Sequence, residues 1–177
     1  MRTTRRTLLL GGAALGLTAC VGMGGTVSRG DMRRLPQGTR LLIVRHFDRD
    51  GEDLSREGHA RAALLPAAIA DIPLDAIYTR QLGRNVDSTR PLARARGLEM
   101  QMLSGLGPDG ALEDQIIDAA SGRSVIWVGN RDNLRAIWEA LALPGEPPLT
   151  YGEVFVVEPG RNGRARVTER RMVPVDA

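Results

Sequence analysis

The chain has 177 residues, a length that suits one domain preceded by an export segment, and its hydrophobic fraction of 42% is ordinary for a globular protein. The formal net charge is +3, and every basic residue is arginine, because the sequence contains no lysine. Any phosphate chemistry must therefore use guanidinium groups, which bind phosphate through two parallel hydrogen bonds. The single cysteine excludes an intrachain disulfide.

Residues 1–19 are predicted to be an export signal peptide. A basic start and a short apolar run, residues 8–17, precede small residues that lead to Cys20. This run is shorter than the roughly 20 residues that a transmembrane helix needs. Arg5 and Arg6 resemble a twin-arginine signal, and the sequence LTAC resembles a bacterial lipobox. We therefore expect lipid on Cys20 to anchor the protein on the periplasmic side of a bacterial membrane; the alternative is a stray cysteine in a plain signal peptide.

Removal of the signal changes the charge balance. Arg2, Arg5 and Arg6 lie within it, so 21 of the 24 basic residues remain against 21 acidic ones. The mature chain is then nearly neutral. The high isoelectric point of the full chain therefore does not indicate nucleic-acid binding.

Residues 20–38 are predicted to be a flexible, glycine-rich tether, and residues 39–177 a single domain. Strands are predicted at residues 41–44, 75–78, 124–128, 153–157 and 166–172, and helices at residues 55–71, 84–96, 112–120 and 131–143, with an extended segment at 99–103. Ser55 is the predicted N-cap of the first helix, and Pro66 is predicted to kink or interrupt it. Alternating strands and helices predict a three-layer α/β/α sandwich with a mainly parallel sheet.

Polar residues follow three of the predicted strands. Arg45 and His46 follow the first strand, Arg80 and Arg84 follow the second, and Asn130 follows strand 124–128. Because ligands of open α/β sheets bind beyond the carboxyl ends of the strands, these side chains are expected to share one pocket. Neutral imidazole is a nucleophile, and arginines offset the charge of a phosphoryl group. The set suits phosphoryl transfer through a phosphohistidine.

Four blocks of the sequence, in the expected order, resemble the histidine phosphatase superfamily of phosphoglycerate mutase-like proteins. RHFD, residues 45–48, stands where the family has Arg-His-Gly/Ala-Glu/Asp after its first strand, and LSREGHARA, residues 54–62, resembles the start of its first helix. Residues 75–98 resemble the block with the second phosphate-binding arginine, and residues 124–141 the block with the second histidine. The likeness covers roughly residues 40–173 and implies a short, single-domain member with an open, shallow site.

The resemblance implies a role for each matching residue. His46 is the expected nucleophile, Arg45 and Arg84 are expected to hold the phosphoryl group, and Arg49 is a candidate for a further contact. The family also supplies an acid that protonates the leaving oxygen. Three candidates for that acid stay open, namely Asp48, Asp109 and Glu113.

Three residues depart from the family pattern. Asn130 stands where the family has its second phosphate-binding histidine; its amide can donate a hydrogen bond but cannot become cationic. Loss of one preorganised donor typically costs about 10²–10³ in rate. Phe47 replaces a small residue and is expected to narrow the pocket, whereas Arg80 is a candidate to restore some of the missing charge. Asn130 also suits the N-cap of the following helix.

The leading functional hypothesis is an envelope-anchored phosphohydrolase of the histidine phosphatase type, with weak or altered activity. Its expected partners are a small phosphomonoester or a phosphorylated protein side chain, and the membrane through Cys20. The alternatives are a non-catalytic phosphate- or anion-binding lipoprotein that retains the fold, and an envelope structural lipoprotein without a ligand. With two histidines and one cysteine, the sequence predicts neither a structural metal nor a cofactor.

Overall fold

A computed structural model describes residues 33–105 and 111–175 of the chain. The strands are β1 (Arg40–Arg45), β2 (Arg49–Asp50), β3 (Asp53–Leu54), β4 (Ala76–Thr79), β5 (Met100–Met102), β6 (Ser124–Gly129), β7 (Glu153–Pro159) and β8 (Ala165–Met172). The helices are α1 (Arg56–Ala68), α2 (Gly83–Arg96), α3 (Leu112–Ala120) and α4 (Arg131–Ala140).

Six strands form one sheet in the order β5-β4-β6-β1-β7-β8. The strands β5, β4, β6 and β1 run parallel to one another, while β7 is antiparallel to β1 and β8 is antiparallel to β7. The short strands β2 and β3 form a separate hairpin directly after β1. The carboxyl ends of β1, β4 and β6 therefore meet at one edge of the sheet.

Both faces of the sheet are buried, because its strands alternate their side chains between two hydrophobic clusters. Leu41 and Ile43 of β1 pack in one cluster with apolar residues of α3 and α4. Leu42 and Val44 pack in the other with apolar residues of α1 and α2. The predicted three-layer α/β/α sandwich with a mainly parallel sheet is confirmed.

Helix α1 tests two predictions made from the local sequence, the N-cap and the effect of a proline. Ser55 is the N-cap of α1, and its side chain accepts a hydrogen bond from the Gly58 backbone N–H at 3.2 Å. Pro66 was predicted to kink or interrupt the helix; it does not interrupt α1, which continues through it to Ala68. Because Pro66 lies in the last turn, its missing N–H removes one helical hydrogen bond near an end that frays in any case.

The domain begins earlier than the predicted residue 39. Leu35 is only 1% exposed, belongs to the hydrophobic cluster beneath α3 and α4, and donates its backbone N–H to Gly163 at 3.0 Å. The Arg33 backbone N–H is bonded to Ala140 at the end of α4. The last residues of the predicted tether are therefore packed on the domain. Burial of the apolar Leu35 side chain stabilises this arrangement.

Candidate active site

The carboxyl ends of β1 and β6 form the floor of the candidate site. Arg45 lies opposite Gly129 in the parallel ladder, and the His46 backbone N–H donates to the Gly129 carbonyl at 2.9 Å. A Cβ on Gly129 would lie 2.1 Å from Asn133 Oδ1, so only glycine permits this close packing of β6 and α4. His46 and Asn130 are consequently neighbours, although they are far apart in the sequence.

His46 is held as a neutral imidazole with one nitrogen available. The side chain is 3% exposed, and its Nδ1 lies 2.9 Å from the Phe47 carbonyl oxygen. Because a carbonyl only accepts, Nδ1 carries the proton and Nε2 keeps its lone pair. Burial lowers the pKa of His46 from 6.5 to about 4; the Phe47 carbonyl opposes this shift, whereas the charges of Arg45, Arg84 and Arg49 add to it. Nε2 is therefore a competent nucleophile at neutral pH.

Arg45 points toward the loop that precedes β7. Its Nη1 donates to the Leu149 carbonyl at 2.7 Å and its Nη2 to the Tyr151 hydroxyl at 3.1 Å, while Cζ lies 4.2 Å from the centroid of the Tyr151 ring. The Nε is buried without a hydrogen-bond partner in the described structure. A guanidinium has five N–H donors, so the edge that contains Nε remains available to an oxyanion.

Arg84, in the first turn of α2, contacts an acidic side chain from the hairpin. Its Nη1 donates to Glu52 Oε2 at 2.5 Å, and its Nε is buried without a partner among the described residues. The Glu52 side chain is 83% exposed. An ion pair with so exposed a partner contributes at most about 1 kcal/mol, so a phosphoryl group can displace Glu52 from Arg84.

Asn130 is the N-cap residue of α4, as expected from its position. Its backbone N–H donates to Asn133 Oδ1 at 3.0 Å, which forms one half of a capping box. In the other half, Asn130 Oδ1 faces the Asn133 backbone without hydrogen-bond geometry, so this oxygen stays buried and unpartnered in the described structure. The donor that this side chain can offer to an oxyanion is its Nδ2 group.

Four side-chain atoms in the described part of the chain are buried without a hydrogen-bond partner. They are Nε of Arg45, Nε of Arg84, Oδ1 of Asn85 and Oδ1 of Asn130. All four belong to residues at the strand ends or the first turns of α2 and α4 that face this edge of the sheet. Each such atom lowers the stability of the folded chain by about 1–3 kcal/mol when it has no hydrogen-bond partner. Buried polar groups of this kind are retained where a ligand or an ordered water molecule supplies the missing hydrogen bond.

The remaining predicted arginines occupy different places. Arg49 lies on β2, donates to the Gly51 carbonyl at 2.7 Å, and is close enough for its charge to act on His46. Arg80 follows β4 and is half-buried, and no contact within the described residues brings it to His46. Arg131, which sequence reasoning did not single out, instead adds positive charge beside Arg45 at the start of α4.

The three candidate acids differ in their surroundings. Asp48 accepts a hydrogen bond from Arg61 Nε at 2.7 Å, and Arg61 also donates to the Val173 carbonyl. This ion pair fastens the loop after β1 to α1, a positioning role. Glu113 lies in the first turn of α3, and no contact in the described part of the chain joins it to His46. Asp109 lies outside the described residues, as does Cys20.

Phe47 does not narrow the pocket, contrary to the prediction. Its side chain is fully buried in the cluster beneath α1 and α2, where it packs with Leu42 and Val44. Its backbone N–H donates to Ser88 Oγ of α2 at 2.9 Å. The aromatic ring points away from the site because its burial in the core is worth about 1.5–3 kcal/mol, and it thereby anchors the loop that carries His46.

Sequence reasoning missed Tyr151 altogether. This residue lies between α4 and β7, contacts Arg45 as described above, and places its ring centroid 5.8 Å from that of His46. A lone tyrosine in a loop gives no periodic or motif signal. The proline-rich stretch before β7 predicts only that the chain turns there.

The described residues contain no group of three or more His, Cys, Asp or Glu side chains arranged to hold a metal ion. Among the described helices, none combines the length and hydropathy that a bilayer span requires.

Residues 41–108 match the model of the histidine phosphatase superfamily, branch 1. No curated protein sequence matches the chain. The matched region includes the Arg45–His46 pair, the hairpin and Arg84, and it ends before Asn130.

Solved structures with this fold include several phosphatases. A phosphoserine phosphatase from Entamoeba histolytica, in complex with 3-phosphoglyceric acid, aligns with a TM-score of 0.61 at 14% identity, over 77% of this chain and 98% of that one. A mycobacterial glucosyl-3-phosphoglycerate phosphatase bound to inorganic phosphate aligns with 0.55 at 15% identity, over 73% and 94%. An Agrobacterium tumefaciens protein, provisionally assigned as the phosphohistidine phosphatase SixA, aligns with 0.53 at 23% identity, over 77% and 97%.

Proposed function

We propose that this chain is a phosphohydrolase of the histidine phosphatase superfamily, whose model matches residues 41–108, and that it works through a phosphohistidine on His46. One observation supports this most strongly: two buried donors without partners in the described structure, Nε of Arg45 and Nε of Arg84, belong to side chains whose charges act on an imidazole with an unprotonated Nε2. A tetrahedral oxyanion has the charge to bind the two guanidinium edges. The proposed substrate is a small phosphomonoester or a phosphorylated protein side chain.

In the first step, His46 Nε2 attacks phosphorus and the bond to the leaving oxygen breaks. Arg45 and Arg84 bind the equatorial oxygens, whose charge they offset in the transition state. In the second step, water attacks the phosphohistidine and releases inorganic phosphate. Asn130 supplies a neutral donor where the resemblance places a histidine, so the proposed turnover is slow.

The second candidate is a phosphate-binding protein without turnover, and Asn130 favours it. An amide cannot carry the charge or hold the proton of an imidazolium. Binding by Arg45 and Arg84 would survive this loss, whereas transition-state stabilisation would not.

Hydrolysis of an aryl phosphate separates the two candidates. We expect slow turnover by the full chain that His46→Ala reduces to the background rate, since the nucleophile carries the reaction. His59→Ala is the matched control, because His59 is exposed on α1 and no described contact joins it to His46. If wild type and His46→Ala are equally inactive while inorganic phosphate raises the melting temperature of both, binding without catalysis is the correct account.

We further propose that the protein is lipid-anchored through Cys20 on the periplasmic side of the envelope. The basic start, the short apolar run and the sequence LTAC support this. Labelling with a radioactive fatty acid in a bacterial host should depend on Cys20. Label that persists in Cys20→Ala would rule out this anchor.

A further inference from the structure

Tyr151 contacts both residues that are central to the proposed reaction. Its hydroxyl lies 3.1 Å from Arg45 Nη2, its ring stacks on the Arg45 guanidinium, and its ring centroid is 5.8 Å from that of His46. The following residue, Gly152, has a φ of 91°, and a Cβ there would lie 2.6 Å from the Val173 carbonyl oxygen. Only glycine fits this turn, which fixes the direction in which Tyr151 leaves the backbone.

The contact with Arg45 determines what the Tyr151 hydroxyl can do. A guanidinium only donates, so the hydroxyl oxygen accepts from Arg45 Nη2. Its own proton is then directed elsewhere. Because Tyr151 is half-buried, with part of the side chain open to solvent, a bound phosphate ester can reach this proton.

The carboxylates leave the acid role open in the described structure. Asp48 is bound to Arg61 through an ion pair, and Glu113 lies on α3 without a contact to His46. Tyr151 approaches His46 and has a proton to give. Arg45, stacked on the ring, would also stabilise the phenolate that forms when the proton leaves.

We propose that Tyr151 is the general acid and base of the reaction, an inference that rests on the proposed function. As His46 Nε2 bonds to phosphorus and the ester P–O bond breaks, the Tyr151 proton passes to the leaving oxygen, which departs as an alcohol. In the second step, water bonds to phosphorus, the P–N bond breaks, and the phenolate takes the proton of the water. Tyr151 and neutral His46 are regenerated.

The test compares two esters that differ only in their need for an acid. Phenyl phosphate has a poor leaving group, whereas dinitrophenyl phosphate has a good one that departs without protonation. In the full chain, Tyr151→Phe keeps the ring over Arg45 and removes the hydroxyl. We expect its kcat/KM, which reports the steps up to formation of the phosphohistidine, to fall by at least about 10² on phenyl phosphate and by no more than about threefold on dinitrophenyl phosphate.

The matched control is Tyr78→Phe. Tyr78 is the other tyrosine of the chain and also accepts a hydrogen bond from an arginine, Arg123, at 3.2 Å. It lies in the core beneath α3 and α4, so the substitution should change both rates equally little.

Each other outcome overturns the inference in a recognisable way. Equal losses of kcat/KM on both esters would show that Tyr151 positions Arg45 and does not give a proton to the leaving oxygen. If wild type hydrolyses neither ester and forms no phosphohistidine on His46, the proposed function fails as well. If His46→Ala abolishes hydrolysis but Tyr151→Phe does not change its rate, this inference is wrong while the proposed function is still supported.

Discussion

Two clusters lie at different parts of the sheet: the Arg171 cluster, in which that arginine is paired with acids, and the candidate site with Arg45 and Arg84. Their arginines have opposite surroundings. Arg171 on β8 donates to both carboxylate oxygens of Asp71, at 2.5 and 2.7 Å, and to Glu169 at 2.6 Å. Its hydrogen bonds with these acids raise the pKa of Arg171, and the same contact lowers the pKa of Asp71 to about 2. At the candidate site, Arg45 and Arg84 each keep a buried Nε without a partner in the described structure.

The contrast separates arginines that stabilise the fold from arginines that are available to a ligand. The guanidinium of Arg171 is neutralised by the chain itself and ties β8 to the segment after α1. Among the described residues, Arg45 donates hydrogen bonds to neutral groups only, and Arg84 to a single exposed carboxylate. Positive charge that the protein leaves uncompensated at a strand end is what an oxyanion site requires.

Substituting one arginine from each cluster should give the largest effects and opposite results. Arg84→Gln removes a transition-state contact, so kcat on an aryl phosphate should fall by about 10²–10³, with little change in the free energy of unfolding. Arg171→Gln breaks ion pairs with partly exposed acids, so it should cost about 1 kcal/mol or less in stability and leave kcat unchanged. Kinetics and chemical denaturation of both variants check this. A similar loss of kcat in both would erase the distinction between the clusters.

The neutral state of His46 gives the site a pH dependence of stability between about pH 6.5 and pH 4, above the range in which the Asp71 carboxyl of the Arg171 cluster titrates. The unfolded chain binds a proton at His46 near pH 6.5, whereas burial delays protonation of the folded chain until about pH 4. The stability from this group is therefore complete above about pH 6.5 and is lost as pH falls through 6.5 toward 4, by up to about 3 kcal/mol. The acid limb of kcat/KM should likewise lie near pH 4, because it reports the free enzyme.

Unfolding free energies at about pH 4.5 and about pH 7.5 measure this dependence. His46→Asn should reduce the difference between the two values, while His59→Asn, at an exposed position on α1, should retain it. Equal differences in wild type and His46→Asn would mean that His46 is not held neutral by burial.

The smallest expected effect concerns Asn130, which stands where the resemblance places a second histidine. Asn130→His should raise kcat about tenfold, because a charge-assisted hydrogen bond is roughly twice as strong as a neutral one. Asn162→His, in the exposed turn between β7 and β8, is the control and should have no effect. An unchanged rate in Asn130→His would show that the second histidine is not what limits this chain.

Much of the sheet could be predicted from the sequence, because buried parallel strands read as continuous apolar runs. The runs before Arg45 and Asn130 became β1 and β6, and their pairing follows from the α/β pattern. The hairpin of β2 and β3 was missed since its strands, Arg49–Asp50 and Asp53–Leu54, are too short and polar to show a period.

The parts of the site that escaped prediction depend on side chains that meet across long stretches of chain. Tyr151 reaches Arg45 from a loop over 100 residues away, and Asp48 is bound by Arg61 of α1. The orientation of Phe47 depends on the core beneath α1 and α2, which no local pattern specifies. Local propensity and spacing predict elements and strand ends, but not which way a loop side chain points.

A crystal structure of the full chain with vanadate tests the central claim most directly. Vanadate mimics the phosphoryl group in transfer, and we expect His46 Nε2 bonded or close to vanadium, with the Nε edges of Arg45 and Arg84 and the Asn130 amide on its oxygens. Glu52 should leave Arg84 in that structure. Vanadate bound elsewhere on the molecule, with Glu52 still on Arg84 and His46 Nε2 without a ligand, would contradict the account.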